Sequence, residues 1–150
     1  MYEVSRDSAD YGHEVAMAVR YDDLDTYRHV NNKKFLSFME DARIDYLQSV
    51  GFEHHGLDEY GVVIARQTVD YWQAILFGDV VHVFTRCTRI GNKSMEFHHM
   101  LEVERGGERI TAAGGVTVLV SIDPRSGETI ANDSTVVERI RALEPELALP

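Results

Sequence analysis

Residues 20–51, RYDDLDTYRHVNNKKFLSFMEDARIDYLQSVG, constrain the fold more than any other part of the chain. Apolar side chains recur at Phe35, Met39, Ala42, Tyr46 and Val50, and Leu36, Phe38 and Leu47 widen the stripe. That is the period-3.6 signature of a helix with one buried face. Lys33, Ser37, Asp41, Ile44, Asp45 and Gln48 fall on the other side. Asn31 or Asn32 can cap the start, and Gly51 suits the left-handed position after the last turn. The spacing predicts a helix over about 32–50. By helical-wheel position Arg43 falls inside the apolar arc, so its stem must pack and its head must find a carboxylate or carbonyl.

Strand-like alternation flanks this helix. Residues 14–21 read as a first strand, and 61–76, 80–90, 94–104 and 108–122 follow as four more. Their separators, Phe77-Gly78-Asp79, Gly91-Asn92-Lys93 and Arg105-Gly106-Gly107, are short and predict antiparallel hairpins between successive runs. In the run 94–104, Met95, Phe97, His99, Leu101 and Val103 share one face, and the opposite face is expected to be mostly wet. Asp123-Pro124-Arg125-Ser126-Gly127 is a turn, after which Asp133 or Ser134 can cap a short final helix through Leu143. One strand, one long helix and four strands make an α+β domain with the helix on a sheet face. A length of 150 residues suits one domain, with 1–13 and 145–150 expected as loose tails.

Several chemistries have no signature here. The single cysteine, Cys87, excludes an intramolecular disulfide and reads as a packed thiol. Seven histidines invite a metal site, but His54-His55 and His98-His99 are adjacent pairs, and no H-x-H or H-E-x-x-H occurs; no metal is expected. There is no G-x-S-x-G elbow, phosphate-binding P-loop or dinucleotide fingerprint. A net charge of -10 argues against nucleic-acid binding. The charged N-terminus and the absence of any run near ~18 apolar residues give a cytoplasmic protein without membrane spans as the expectation.

The loop before the helix is different. A helix start presents unpaired N–H groups and a positive dipole end, here beside Asp23, Asp25 and His29, a place to stabilise an oxyanion. Turns are rich in Asp and Asn anyway, so composition alone leaves this loop ordinary.

The order of residues points further. The string R-Y-x-D-x-D-x-x-x-H-V-N-N-x-x-F, followed by F-x-E-x-A-R-x-x-Y-L and a glycine, resembles the hotdog-fold acyl-CoA thioesterases of the 4-hydroxybenzoyl-CoA thioesterase family. Further matches lie at Val63-Ile64-Ala65-Arg66, Asp70-Tyr71, Gly78-Asp79, Arg89-Ile90-Gly91 with Ser94 and Phe97, and Asp123-Pro124 with Gly127, so the likeness spans roughly 15–143. One position departs: Arg28 stands where a small residue, usually glycine, is common.

The resemblance implies a hotdog fold, an antiparallel sheet of about five strands wrapped around the long helix. It implies hydrolysis of an acyl or aroyl thioester to free acid and coenzyme A (CoA), with CoA as part of the substrate and no separate cofactor. It also implies a homo-oligomer, a dimer or more readily a tetramer, with the active site at the dimer interface. Asp25 matches the essential carboxylate, as nucleophile or general base; His29 would orient it or hold water, and Asn32 and Asn31 would offer backbone N–H groups to the thioester oxygen. Tyr27, Glu40, Arg66 and Tyr71 join Asn31 as substrate-binding positions, Glu40 through a buried hydrogen bond, and the connector 52–60 would form a flap. In so acidic a chain CoA phosphates need a locally basic site, and Arg89 and Lys93 with the Ser94 hydroxyl supply one. Two other classes remain open, a hotdog hydratase or dehydratase and a non-catalytic acyl-CoA-binding module.

Overall fold

The computed structural model describes residues 3–52 and 61–147. Its elements are β1 (His13–Ala18), α1 (Asn32–Ser49), β2 (Gly61–Tyr71), β3 (Val80–Ile90), β4 (Ser94–Arg105), β5 (Glu108–Ile122) and α2 (Ser134–Leu143). The strands form one antiparallel sheet in the order β1-β3-β4-β5-β2. Helix α1 lies on one face of it, the hotdog arrangement that the resemblance implies.

The apolar stripe is what seats α1. Phe35, Phe38, Met39 and Ala42 pack on Val81, Val83, Leu101, Val103, Ala112 and Ala113. Tyr46, Leu47 and Val50 meet Cys87, Ile90, Phe97 and Leu119, with Val136 and Ile140 of α2 closing that end. At roughly 1.5–3 kcal/mol per large apolar side chain, this burial outweighs the propensity differences along the helix. Close approach depends on Gly115: a Cβ there would overlap the Met39 thioether and meet Thr68 O at 3.0 Å. Asn31 is the N-cap, accepting from Lys33 N at 3.2 Å, and Gly51 takes φ 83° beyond the last turn. Cys87 is a packed thiol, which burial pushes up to about 12.

Five expectations are corrected. The separator at 77–79 does not close a hairpin; β2 pairs with β5 at the far edge, and residues 72–79 form a longer connection. Ile75 is fully buried in it, and Trp72 N and Gln73 N both donate to Ala112 O, so the segment is tied to the sheet instead of turning back along β2. The first strand ends at Ala18; residues 21–23 make a 3₁₀ turn whose Tyr21 is 80% exposed.

The N-terminal arm is not loose. Val4 and Tyr11 are buried, the Arg6 guanidinium lies 3.8 Å over the Trp72 ring, and Tyr11 packs with Phe84 and Met100. That packing explains why the outer face of β4 is not simply wet: Met100 is fully buried and His98 nearly so. The tail after α2 also packs, with Leu147 against the cluster around Tyr46. The proposed flap falls at 53–60, outside the described residues.

Candidate active site

The loop between β1 and α1 folds on itself. Leu24 and Val30 form an antiparallel bridge, Asp25 N donates to His29 O at 2.8 Å, and Arg28 N donates to Asp25 O at 3.1 Å. Within this turn Asp25 Oδ1 accepts from Tyr27 N at 2.9 Å and His29 N at 3.2 Å. Asp25 is thus a turn-former, as aspartates often are. The same bonds fix its carboxylate, because only Oδ1 is engaged and Oδ2 has no hydrogen bond among the described residues. One oxygen is anchored and the other is available for chemistry.

The loop is held from behind. Val30 N donates to Ile75 O at 2.8 Å, and His29 and Leu76 form a bridge. Leu76 N in turn donates to Asp79 Oδ2 at 2.8 Å. Asp79 is buried and takes a bidentate pair from Arg105, at 2.9 Å from Nε and 2.7 Å from Nη2, while Nη2 also donates to Ala74 O at 3.1 Å. Neither Asp79 nor Arg105 was among the expected site residues. The Gly78-Asp79 match marked one of them, and the β3–β4 hairpin that the short 91–93 separator predicts, with Val80 across from Glu104, sets Arg105 beside it on the neighbouring strand.

Asp25, His29, Asn32, Phe35 and Tyr71 line an open cleft of about 460 Å³ with Val30 and residues 72–74. The Tyr71 ring meets Phe35 edge-on at 4.9 Å, and its hydroxyl donates to Asn32 O at 3.1 Å. Phe35 was expected only as core; it also lines the cleft, as does Trp72.

The structure separates the two asparagines. Asn31 N donates to Asp23 O at 2.8 Å and its side chain caps Lys33, so its N–H cannot meet a thioester oxygen. Asn32 N carries no hydrogen bond among the described residues and stands at the positive end of an 18-residue helix. Of the two N–H groups expected to meet a thioester oxygen, only that of Asn32 is unengaged among the described residues. The role expected of His29 shifts too: its backbone N–H, not its ring, bonds Asp25, and the imidazole lines the cleft.

Other expected positions lie apart. Tyr27 is 81% exposed. Glu40 is exposed, not buried, because it points off the helix to pair with Arg43 at 3.7 Å. Arg43 is buried as its wheel position requires, donating to Thr117 Oγ1 at 3.4 Å. Arg66 sits at a bulge in edge strand β2, five residues before Tyr71 and so roughly 16 Å away.

Arg89, Lys93 and Ser94 occupy the β3–β4 turn. The cleft adjoins the Val80 end of β3, so this turn is roughly 30 Å away along the strand. Lys93 Nζ is engaged there, donating to Thr129 O at 3.0 Å and Thr129 Oγ1 at 3.2 Å. Among the described residues no three His, Cys, Asp or Glu side chains converge on a metal position, and no helix is long and apolar enough to cross a membrane.

Known proteins share this fold. The family model described as the thioesterase-like superfamily matches residues 19–146. The chain belongs to that superfamily. It is a thioester hydrolase with the hotdog fold. A thioesterase of Thermus thermophilus, whose crystal structure holds coenzyme A and zinc, is 38% identical, with a TM-score of 0.78 over 91% of this chain and 96% of that one. The long-chain acyl-CoA thioesterase FadM of Escherichia coli is 24% identical over 131 residues, 87% of this thioesterase and 98% of FadM. The PA5185 protein of Pseudomonas aeruginosa is 28% identical, with a TM-score of 0.82 over 91% and 94% of the two chains.

Proposed function

We propose that this thioesterase hydrolyses acyl-CoA thioesters at the Asp25 cleft, and that it does so as a homodimer joined through β2. One observation carries the proposal: an anchored carboxylate with a free oxygen shares a cleft with the unpaired N–H of Asn32. With the thioester carbonyl oxygen at Asn32 N, the carbonyl carbon faces Asp25. The carboxylate then attacks to give a mixed anhydride that water cleaves, or takes a proton from a water that attacks directly. In both routes negative charge grows on the carbonyl oxygen, where the helix dipole and N–H stabilise it, and the thiolate leaves. Coenzyme A in the Thermus thermophilus structure and the acyl-CoA substrate named for FadM support CoA as the carrier.

Thiol release from a panel of acyl-CoA thioesters is the deciding experiment. A hydratase would alter the acyl chain without freeing thiol, and a binding module would do neither.

The dimer follows from the sheet edge. Strand β2 spans 11 residues and is an edge of the sheet among the described residues, and Val63 and Ile64 are each 44% exposed on it. Such an edge is a template for a second copy. Two-fold antiparallel pairing of β2 would set the Gly61 end of one copy beside the Tyr71 end of the other. Gly61 lies across from Ile122, and Ser94 across from Val120, so the Arg89–Ser94 turn of one copy would approach the Asp25 cleft of its partner. That pairing offsets the separation within one chain. Ile64→Lys should dissociate the dimer and depress turnover together in sedimentation and thiol-release assays; an active wild-type monomer would reject the assembly.

Arg89, exposed beside the turn, then meets CoA phosphates, while Lys93 is already held by Thr129. Arg89→Ala should raise KM for acyl-CoA about fivefold with kcat little changed, since a remote contact serves ground and transition states alike. Lys93→Ala should be milder. The Arg89 effect should vanish on a pantetheine thioester lacking the nucleotide.

A further inference from the structure

Arg28 is the only residue other than glycine with positive φ among the described residues, at 62°. A left-handed backbone disfavours any side chain with a Cβ, so an arginine there runs against local preference. Nothing in the fold uses its charge: among the described residues the guanidinium has no ion pair or hydrogen bond, although acidic residues outnumber basic ones by 25 to 15. Outliers of this kind cluster where a ligand needs them.

Its surroundings indicate which ligand. Arg28, Tyr21, Leu24, Phe77 and Asp25 line a second hollow of about 400 Å³, which shares only Asp25 with the cleft described above. Tyr21 and Phe77 are 80% and 60% exposed and stand edge-to-face at 6.2 Å, an aromatic wall without a partner of its own. An apolar wall ending at a free guanidinium suits a short apolar stem that carries an anion. Carboxylate matches the guanidinium fork in charge and in planar geometry.

We propose that Arg28 is a specificity residue that reads a carboxylate at the far end of the acyl group, so that thioesters of short dicarboxylic acids are favoured over neutral ones of equal length. This rests on the thioesterase reading of the Asp25 site. The anion belongs to the acyl part because Arg28 is tied to Asp25 through its own backbone, with Arg28 N 3.1 Å from Asp25 O. Arg28 and Asp25 line the same hollow, so the guanidinium lies within a side chain's reach of the reacting carbonyl. A few methylenes bring a distal carboxylate to that place, whereas the pantetheine arm with its two amides separates the sulfur from the nearest phosphate. An anionic acyl group would otherwise be repelled by Asp25 itself, and Arg28 offsets that repulsion.

The test compares kcat/KM for glutaryl-CoA with valeryl-CoA, and for adipyl-CoA with hexanoyl-CoA, in wild-type protein, Arg28→Gln and Arg28→Lys. The same acyl groups are also assayed on N-acetylcysteamine. The wild type should favour the carboxylated member by about tenfold, the scale of one charge-assisted hydrogen bond at a half-open site. Arg28→Gln should bring the ratio to about one, Arg28→Lys should recover part of it, and the pattern should persist on N-acetylcysteamine. A ratio near one in the wild type overturns the proposal. So does an equal fall in both members that disappears on N-acetylcysteamine, which would assign Arg28 to a CoA phosphate. If glutaryl-CoA and valeryl-CoA are hydrolysed with no preference, only the Arg28 assignment fails; if no thioester in the panel releases thiol, the reading of the site fails with it.

Discussion

Asp25→Asn should retain the fold and lose at least ~10²-fold in turnover, the scale of removing a positioned acid–base or nucleophilic group. The substitution separates chemistry from structure. Oδ1 is the oxygen that receives Tyr27 N and His29 N, and an asparagine carbonyl can accept both bonds, so the turn survives. What is lost is the negative charge and basicity of Oδ2, which has no other engagement among the described residues. Asp23→Asn should be milder in turnover, because Asp23 works structurally: it is buried, its Oδ2 accepts Arg20 N at 2.8 Å, and its backbone oxygen receives Asn31 N. Turnover within a few-fold of wild type in Asp25→Asn protein with unchanged circular dichroism and melting would remove Asp25 from the mechanism.

The contrast between these two aspartates shows what the sequence could carry. Element identity was legible wherever one periodicity dominated: the stripe from Phe35 to Val50 gave α1, and the β-branched run 80–90 gave β3 with its observed ends. The short turns at 91–93 and 105–107 gave the β3-β4-β5 order, but the placing of β2 was not legible, because hydrophobic alternation says which face is buried and nothing about which edge receives a strand. The identity of the donors at the helix start was also out of reach. Asn31 and Asn32 are equivalent as a dipeptide; they differ because Asp23 O, brought near by the 3₁₀ turn at 21–23, consumes one N–H and leaves the other. The wet face expected on β4 failed for a similar reason, since Tyr11 and Val4 come from a polar segment whose few apolar residues have no period. Arg43 was legible because an ionisable side chain inside an apolar arc has so few ways to be satisfied.

Arg105→Ala should be among the more destabilising single substitutions, about 2 kcal/mol at neutral pH, and its deficit should shrink in acid. Asp79 has a side chain only 3% exposed, and Arg105 at the end of the neighbouring strand β4 is its partner. Burial pushes the Asp79 carboxyl up, but the Arg105 guanidinium and Leu76 N–H together outweigh burial and hold it below its ordinary value of 3.8. A depressed carboxyl pKa stabilises the fold above the unfolded value, and that contribution is lost as pH falls through the folded value. Without Arg105, burial is opposed only by Leu76 N–H, and a charged Asp79 is a liability at pH 7. A buried pair broken on one side costs up to ~3–5 kcal/mol; the smaller figure applies here because the Arg105 side chain is 38% exposed and water can partly replace it. Once the pH falls below the depressed folded value of Asp79, itself under 3.8, the carboxyl is protonated in both proteins, so their denaturation midpoints should converge there. Turnover should fall as well, because Asp79 holds Leu76, Leu76 bridges His29, and His29 N fixes Asp25. Asp79→Asn, which keeps an acceptor for Leu76 N and leaves Arg105 to solvent, should cost less. Denaturant melts from neutral pH down through the depressed Asp79 titration, below 3.8, decide the matter. A stability deficit in Arg105→Ala that is constant across that range would show that the guanidinium acts by packing and not by holding Asp79 ionised.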